Sequence, residues 1–244
     1  MLNEQEISDP PFDDFLVPRK PHIYFKEYFT EEPFYMFNKG SATLVGSSGR
    51  LLYNTIPVND YDYIVRMNTA PHNGFTERVG SKTDIRIVAF NSLHKVIVKH
   101  GLMNDLKYIF VWSGVDDFEG TIKLIKNAKR KYPDIKYYYF TEFGYSSVMK
   151  EFEAKYRSKN WLSTGIISVF IMNILFSEFD IIGFGDFNGE FVKVPYHYWK
   201  DQLADQTELG HYMSNQNARF GHRFLTEKQI ILEWRKRWGN FRIL

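Results

Sequence analysis

Short apolar runs rich in β-branched and aromatic residues recur along this chain, most of them separated by stretches with helical character. They are Ala42–Val45, Tyr63–Met67, Asp84–Phe90, Tyr108–Trp112, Ile135–Phe140 and Phe179–Phe184. A basic amphipathic helix is expected over Thr121–Lys131, and further helices over Ser146–Arg157, Thr164–Phe176, Glu208–Phe220 and Thr226–Trp238. Strands that alternate with helices pair in parallel and are covered on both faces. The expected fold class is therefore α/β: one Rossmann-like domain with a mostly parallel central sheet flanked by helices. A chain of 244 residues is long enough for one such domain with an ample core. The domain is expected over residues 21–244. Residues 1–20 read as a loosely ordered arm, because Asp9-Pro10-Pro11 and Pro18 disfavour regular structure.

Charge and cysteine usage remove several function classes. Lys and Arg number 31 against 29 Asp and Glu, a formal charge of 31 − 29 = +2. That excludes a nucleic-acid binder unless the charge is strongly segregated. The clusters at Lys126–Lys131 and Arg235–Arg237 read as solvated helix faces. There is no cysteine, so disulfides and Cys-based zinc sites are impossible. No Asn-x-Ser/Thr sequon occurs, no stretch has the length of a membrane span, and the first 20 residues contain no apolar signal core. The expectation is a soluble protein in the cytoplasm or another reducing compartment, or in the Golgi lumen if an anchor has been removed.

Four strings carry the candidate chemistry. In the first, the strand Ala42–Val45 stops in Gly46-Ser47-Ser48-Gly49. Glycines there allow a sharp turn and close approach to the backbone, and a helix that follows would direct free N–H groups toward an anion. No Lys-Ser/Thr follows as in a P-loop, and the Gly-x-Gly-x-x-Gly string of dinucleotide enzymes is incomplete. Asn68 ends the next expected strand, where a parallel sheet places its ligands, and it offers both a donor and an acceptor. Arg66 and Lys82 lie in the same region. Arg66 reads equally well as a structural group bonding carbonyls beneath the loop, and Lys82 as a solvated side chain.

In the second string, Ser163-Thr164-Gly165 opens the apolar helix, and Gly183-Phe184-Gly185 ends the following strand. Ser163 and Thr164 would serve as ordinary helix caps. They could equally meet a nucleotide, with Phe184 and the glycines forming a flat wall for a pyrimidine. The third string is Pro195-Tyr196-His197-Tyr198-Trp199. The fourth is His222 followed by Glu227. An imidazole titrates near neutrality and can take a proton from a hydroxyl.

Together, in this order and spacing, the strings resemble the large, small, third and very small sialylmotifs of the eukaryotic-type sialyltransferases, over roughly residues 41–230. The first includes Leu44-Val45-Gly46-Ser47-Ser48-Gly49, Val65-Arg66-Met67-Asn68-Thr69-Ala70-Pro71 and Val79-Gly80-Ser81-Lys82-Thr83. The resemblance implies a GT-A-like glycosyltransferase domain. It also implies a CMP-sialic acid donor as substrate, a glycan or glycoconjugate acceptor and no cofactor. By resemblance His222 is the catalytic base and His197 contacts the donor phosphate. Ser47, Asn68, Ser163, Thr164, Gly165, Gly183, Phe184 and Gly185 bind the donor's CMP. Ser47 stands where the family usually has asparagine.

The implied reaction is direct displacement with inversion, without a covalent enzyme intermediate. A metal is not expected, because none of the four strings contains Asp-x-Asp and Asp116-Asp117 lacks the spacer. The alternative is a catalytically impaired CMP-sugar-binding protein on the same fold. A nicotinamide or methyl-donor enzyme is a third reading, resting only on the glycine turn. The family links its first two motifs by a disulfide; counted from Gly46 and Gly165, those places hold Ala42 and Phe176 here. The resemblance therefore predicts that both are buried and packed together.

Overall fold

The computed structural model describes residues 25–28, 40–99, 101–113, 118–140, 142–155, 161–185, 194–199 and 222–244. The strands are β1 (Phe25–Tyr28), β2 (Ala42–Val45), β3 (Tyr63–Met67), β4 (Ile85–Ala89), β5 (Tyr108–Trp112), β6 (Lys136–Phe140), β7 (Phe179–Ile182) and β8 (Phe241–Ile243). The helices are α1 (Thr76–Val79), α2 (Phe90–Val98), α3 (Phe118–Lys131), α4 (Glu142–Lys155), α5 (Thr164–Leu175) and α6 (Phe224–Trp238). The strands form one sheet in the order β1-β6-β5-β4-β3-β2-β7-β8. Every neighbouring pair from β6 to β8 is parallel, and β1 runs antiparallel on the edge beside β6. The fold is thus the expected Rossmann-like, GT-A-like α/β sheet.

The alternating side chains of the strands feed two cores. On one face Leu44, Val65, Met67, Ile87, Phe110 and Phe140 pack beneath α4, α5 and α6. On the other face, Val88, Ile109, Val111 and Tyr139 meet α2 and α3, while Val45, Ile64 and Ile182 pack with Leu51 and Tyr198. Two-sided burial explains why these strands read as nearly continuous apolar runs.

The expected elements differ from the observed ones in several places. The run Asp84–Phe90 stops as a strand at Ala89, and Phe90 begins α2. Leu93 and Val96, at helical spacing, are fully buried there. The glycine loop enters a five-residue 3-10 helix, Gly49–Tyr53, not an α-helix. The edge strands β1 and β8 were not anticipated. The arm of residues 1–20 and the helix expected over Glu208–Phe220 lie outside the described residues.

The chain builds β2 to β6 in one direction and returns to the far side of β2 for β7 and β8. The strand order therefore reverses between β2 and β7, and the loops leaving their carboxyl ends diverge. That is where a doubly wound sheet opens a ligand crevice. Two glycines make this junction possible. A Cβ on Gly46 would lie 2.1 Å from the Gly183 carbonyl oxygen, and one on Gly49 would lie 2.3 Å from that of Pro195.

Ala42 and Phe176 are each 1% exposed and share one core cluster. Tyr63, the register partner of Ala42, places its ring centroid 5.5 Å from that of Phe176. Apolar burial thus fills both positions at which the sequence resemblance implied a cross-link. No helix among the described residues is long and apolar enough to cross a membrane.

Candidate active site

At the carboxyl ends of β2, β3 and β7 lies a cleft of about 220 Å³. Nine of the sequence-derived candidates line it: Ser47, Asn68, Ser163, Thr164, Gly165, Gly183, Phe184, His197 and His222. Residues from all four strings, up to 175 positions apart (222 − 47), thus converge on one space. Gly185 is not among the lining residues.

Asn68 joins the first string to the second. Its backbone is left-handed, with φ 43°, a conformation asparagine tolerates better than most residues. Its Oδ1 accepts from the Ala89 N–H at 2.9 Å, and its Nδ2 donates to Thr164 Oγ1 at 3.0 Å. The amide is therefore held rigidly, with one of its two N–H groups not needed for Thr164. Thr164 opens α5. The Ile166 N–H goes to Ser163 Oγ at 3.3 Å and the Ile167 N–H to the Ser163 carbonyl at 3.4 Å. The N–H groups of Thr164 and Gly165 precede these bonds, so they are the ones a helix start offers to an anion. Phe184 lies across this wall, its ring 3.4 Å from where a Gly165 Cβ would stand.

The Gly46–Gly49 loop holds the chain together and does not present a row of free N–H groups. Gly46 N–H donates to Ile182 O at 2.7 Å, Ser48 N–H to Gly183 O at 3.0 Å, and Gly49 N–H to Pro195 O at 2.9 Å. Ser48 caps the 3-10 turn by accepting from the Arg50 N–H. The Tyr198 N–H reaches the Ser47 carbonyl at 3.1 Å. The loop is thus tied to β7 on one side and to the third string on the other, and the expectation of an anion-cradling helix after it is corrected. Arg66 bonds the carbonyls of Val79, Gly80 and Lys82, and Lys82 pairs with Asp84 at 3.0 Å. Arg66 thus bonds the carbonyls beneath the loop, a role its sequence left open, whereas Lys82, expected as a solvated side chain, is tied down by Asp84.

Glu227 is 3% exposed and binds Ser163 twice. Its Oε1 accepts the Ser163 N–H at 2.7 Å, and its Oε2 accepts the Ser163 hydroxyl. The Ser163 hydroxyl is therefore already engaged by Glu227 and Ile166. Burial pushes the Glu227 carboxyl above its usual range, while the nearby His222 and the two Ser163 bonds pull it down. α6 is fixed at its far end too: Glu151 of α4 accepts from the Trp234 indole N–H at 2.9 Å and pairs with Arg237 at 2.7 Å.

His222 lies two residues before the start of α6. Its Nδ1 lies 2.9 Å from the Trp161 carbonyl oxygen. A carbonyl can only accept, so Nδ1 carries the proton. In the neutral ring Nε2 is then the basic nitrogen. Rings connect the two histidines: His222 to Phe224 at 5.3 Å, Phe224 to Tyr196 at 6.2 Å, and Tyr196 to His197 at 4.1 Å. His197 stacks on Trp199, 4.4 Å between centroids and 8° from parallel. The imidazoles occupy separate parts of one cleft and can serve different atoms of a ligand.

The sequence does not reveal the two hydrogen bonds that Ser163 donates to Glu227, although the His-x4-Glu spacing marks the residue. Nor does it reveal the Trp161 carbonyl, for which no side-chain signal exists.

The chain matches glycosyltransferase family 29 (sialyltransferase) over residues 39–237. It is 27% identical over 225 residues to alpha-N-acetylgalactosaminide alpha-2,6-sialyltransferase 6 of Bos taurus, covering 82% of this chain and 66% of that one. Against alpha-N-acetylgalactosaminide alpha-2,6-sialyltransferase 3 of Mus musculus it is 28% identical over 252 residues, covering 91% and 78%. It thus spans just under two thirds of the bovine relative and more of the murine one. A mammalian sialyltransferase solved in complex with Gal-beta-1-3GalNAc-ortho-nitrophenol superposes with a TM-score of 0.59 at 20% identity, covering 88% of this chain and 74% of that one. The sialyltransferase CstII from Campylobacter jejuni, solved with CMP-3FNeuAc, gives a TM-score of 0.50 at 13% identity, with 84% and 82% covered. These superpositions establish a shared fold. The family match spans 199 of 244 residues (237 − 39 + 1), so the chain belongs to glycosyltransferase family 29, the sialyltransferases.

Proposed function

We propose that this cleft transfers sialic acid from CMP-sialic acid to a glycan hydroxyl, within one catalytic domain over residues 21–244. The observation that carries the reading is the fixed tautomer of His222. Its Nδ1 is committed to the Trp161 carbonyl, which leaves Nε2 basic in the same cleft as the Asn68–Thr164 pair. The acceptor oxygen attacks the anomeric carbon of the donor as its proton moves to His222 Nε2. The bond from that carbon to the phosphate oxygen breaks, and its electron pair leaves with CMP. The centre inverts, through an oxocarbenium-like transition state. Asn68, the first N–H groups of α5 and His197 hold the phosphate as charge builds on it. Phe184 and the glycine wall receive the cytosine.

The reaction is proposed to need no metal and no cofactor. Glu227 is the one carboxylate among the described lining residues, and it is engaged by Ser163. Among the described residues no group of three or more His, Asp and Glu could hold a cation. Activity is expected to persist in excess chelator; full loss restored by magnesium or manganese defeats the metal-free reading. The absence of cysteine supports folding without an oxidising compartment.

The test is release of free CMP from CMP-sialic acid across a panel of acceptors. Glycans ending in alpha-linked N-acetylgalactosamine come first, because the relatives are named for them. Acceptor-dependent release is expected. Tight CMP binding with no release favours the alternative, a CMP-sugar-binding protein; the engaged N–H groups of the Gly46–Gly49 loop lend that reading its support. The Asn68 amide has its own test. Asn68→Gly keeps the left-handed backbone and removes only the side chain. CMP affinity is expected to fall about 10-fold, as for the loss of a hydrogen bond to a charged group.

A further inference from the structure

Directly beneath Asn68, on the sheet face opposite α5, two arginines lie side by side. Arg66 on β3 and Arg86 on β4 are register partners, and both are 0% exposed. Arg86 Nη1 donates to the Asn68 carbonyl at 2.7 Å and to the Ala70 carbonyl at 3.0 Å. Its Nε and Nη2 have no hydrogen-bond partner among the described residues. No carboxylate of the described residues forms an ion pair with either arginine. The Tyr198 hydroxyl acts on both, but its proton goes to the Pro71 carbonyl, and burial holds it neutral by pushing it up to about 12. Burial lowers Arg66 to about 10, and burial together with the Arg66 charge lowers Arg86 to about 9, so both are cations at neutral pH.

A buried charge is normally paired, because taking it out of water is costly. Holding the carbonyls of Asn68 and Ala70 needs only N–H donors, which a neutral amide could supply. The positive charge itself is therefore what calls for an explanation. The crevice above is where the proposed donor places its phosphate. We propose that Arg66 and Arg86 are positioning residues for that donor: a carboxylate-free cation pair that steadies the Asn68 loop and whose charge is balanced by the ligand's phosphate. This inference rests on the donor reading of the cleft. It places positive potential on both sides of the phosphate, the start of α5 on one sheet face and the arginine pair on the other. At an effective dielectric of about 20, a unit charge roughly 10 Å away changes the binding of another by about 10-fold.

The experiment compares CMP with cytidine, which lacks the phosphate, by calorimetric titration of wild type, Arg86→Met and Arg86→Lys. Wild type is expected to prefer CMP. Arg86→Met is expected to lower the ratio of CMP to cytidine affinity by about 10-fold. Arg86→Lys keeps the charge and is expected to hold the ratio within about twofold, even where both ligands bind more weakly. Equal losses for both ligands in Arg86→Met overturn the inference, since the arginine then acts only through loop shape. If Arg86→Met does not fold, the lysine variant decides: a fall in its ratio of about 10-fold overturns the inference and a retained ratio supports it. Wild type that binds CMP no better than cytidine also overturns it, and wild type that binds neither removes the donor reading beneath it.

Discussion

Replacing His222 with alanine is expected to lower turnover by about 100-fold or more while CMP binding survives. The asymmetry follows from where the side chain sits. His222 is held by Trp161 at the start of α6, whereas the Asn68–Thr164 pair and the start of α5 belong to other elements. Deleting the imidazole removes the proton acceptor and leaves that wall standing. A 100-fold loss corresponds to about 2.7 kcal/mol of transition-state stabilisation. The measurement is initial-rate CMP release at saturating donor, set beside CMP affinity by titration. Turnover within a few-fold of wild type means that another group takes the proton. A large loss of CMP affinity instead means that the ring positions the nucleotide. His197→Ala gives the contrast: stacked on Trp199 and assigned to the phosphate, His197 is expected to affect CMP binding as well as turnover.

The sheet was legible because its parallel strands are buried on both faces and therefore stand out as apolar runs. The edges were not. Phe241–Ile243 is three residues long, and its place beside β7 depends on a pairing made at the end of the chain. α2 was hidden by β4 running straight into it, although Phe90, Leu93 and Ile97 carry helical spacing. In the cleft, residue types were legible and partners were not. Gly46 and Gly49 read as room for a ligand, yet that room is taken by the Gly183 and Pro195 carbonyls, more than 130 positions away. Arg86 shows the same limit. Within Ile85-Arg86-Ile87 it has the alternation of a strand with one polar face, which predicts exposure. Only the folded sheet, covered on that side as well, reveals a buried guanidinium.

Glu227 carries the largest expected effect on stability. Glu227→Ala leaves the buried Ser163 N–H and hydroxyl without their acceptor, at a cost of about 3 kcal/mol for the two groups together. For a chain of this size that lowers the melting temperature by roughly 10 °C. Glu227→Gln is expected to do less harm, about 1 kcal/mol, because its single oxygen still accepts from the Ser163 N–H. Activity should fall in both variants for a reason separate from stability. The bonds from Glu227 to Ser163 fix the start of α5 against α6, and His222 is the second residue before α6. The carboxyl also lies within electrostatic reach of His222, the ring that takes the acceptor's proton in the proposed reaction. The glutamine variant separates these roles, since it keeps part of the tie between the helices and loses the charge. It is expected to melt near wild type, bind CMP with little change and turn over at least about 10-fold more slowly. Wild-type turnover in Glu227→Gln would show that Glu227 serves only to join α5 to α6.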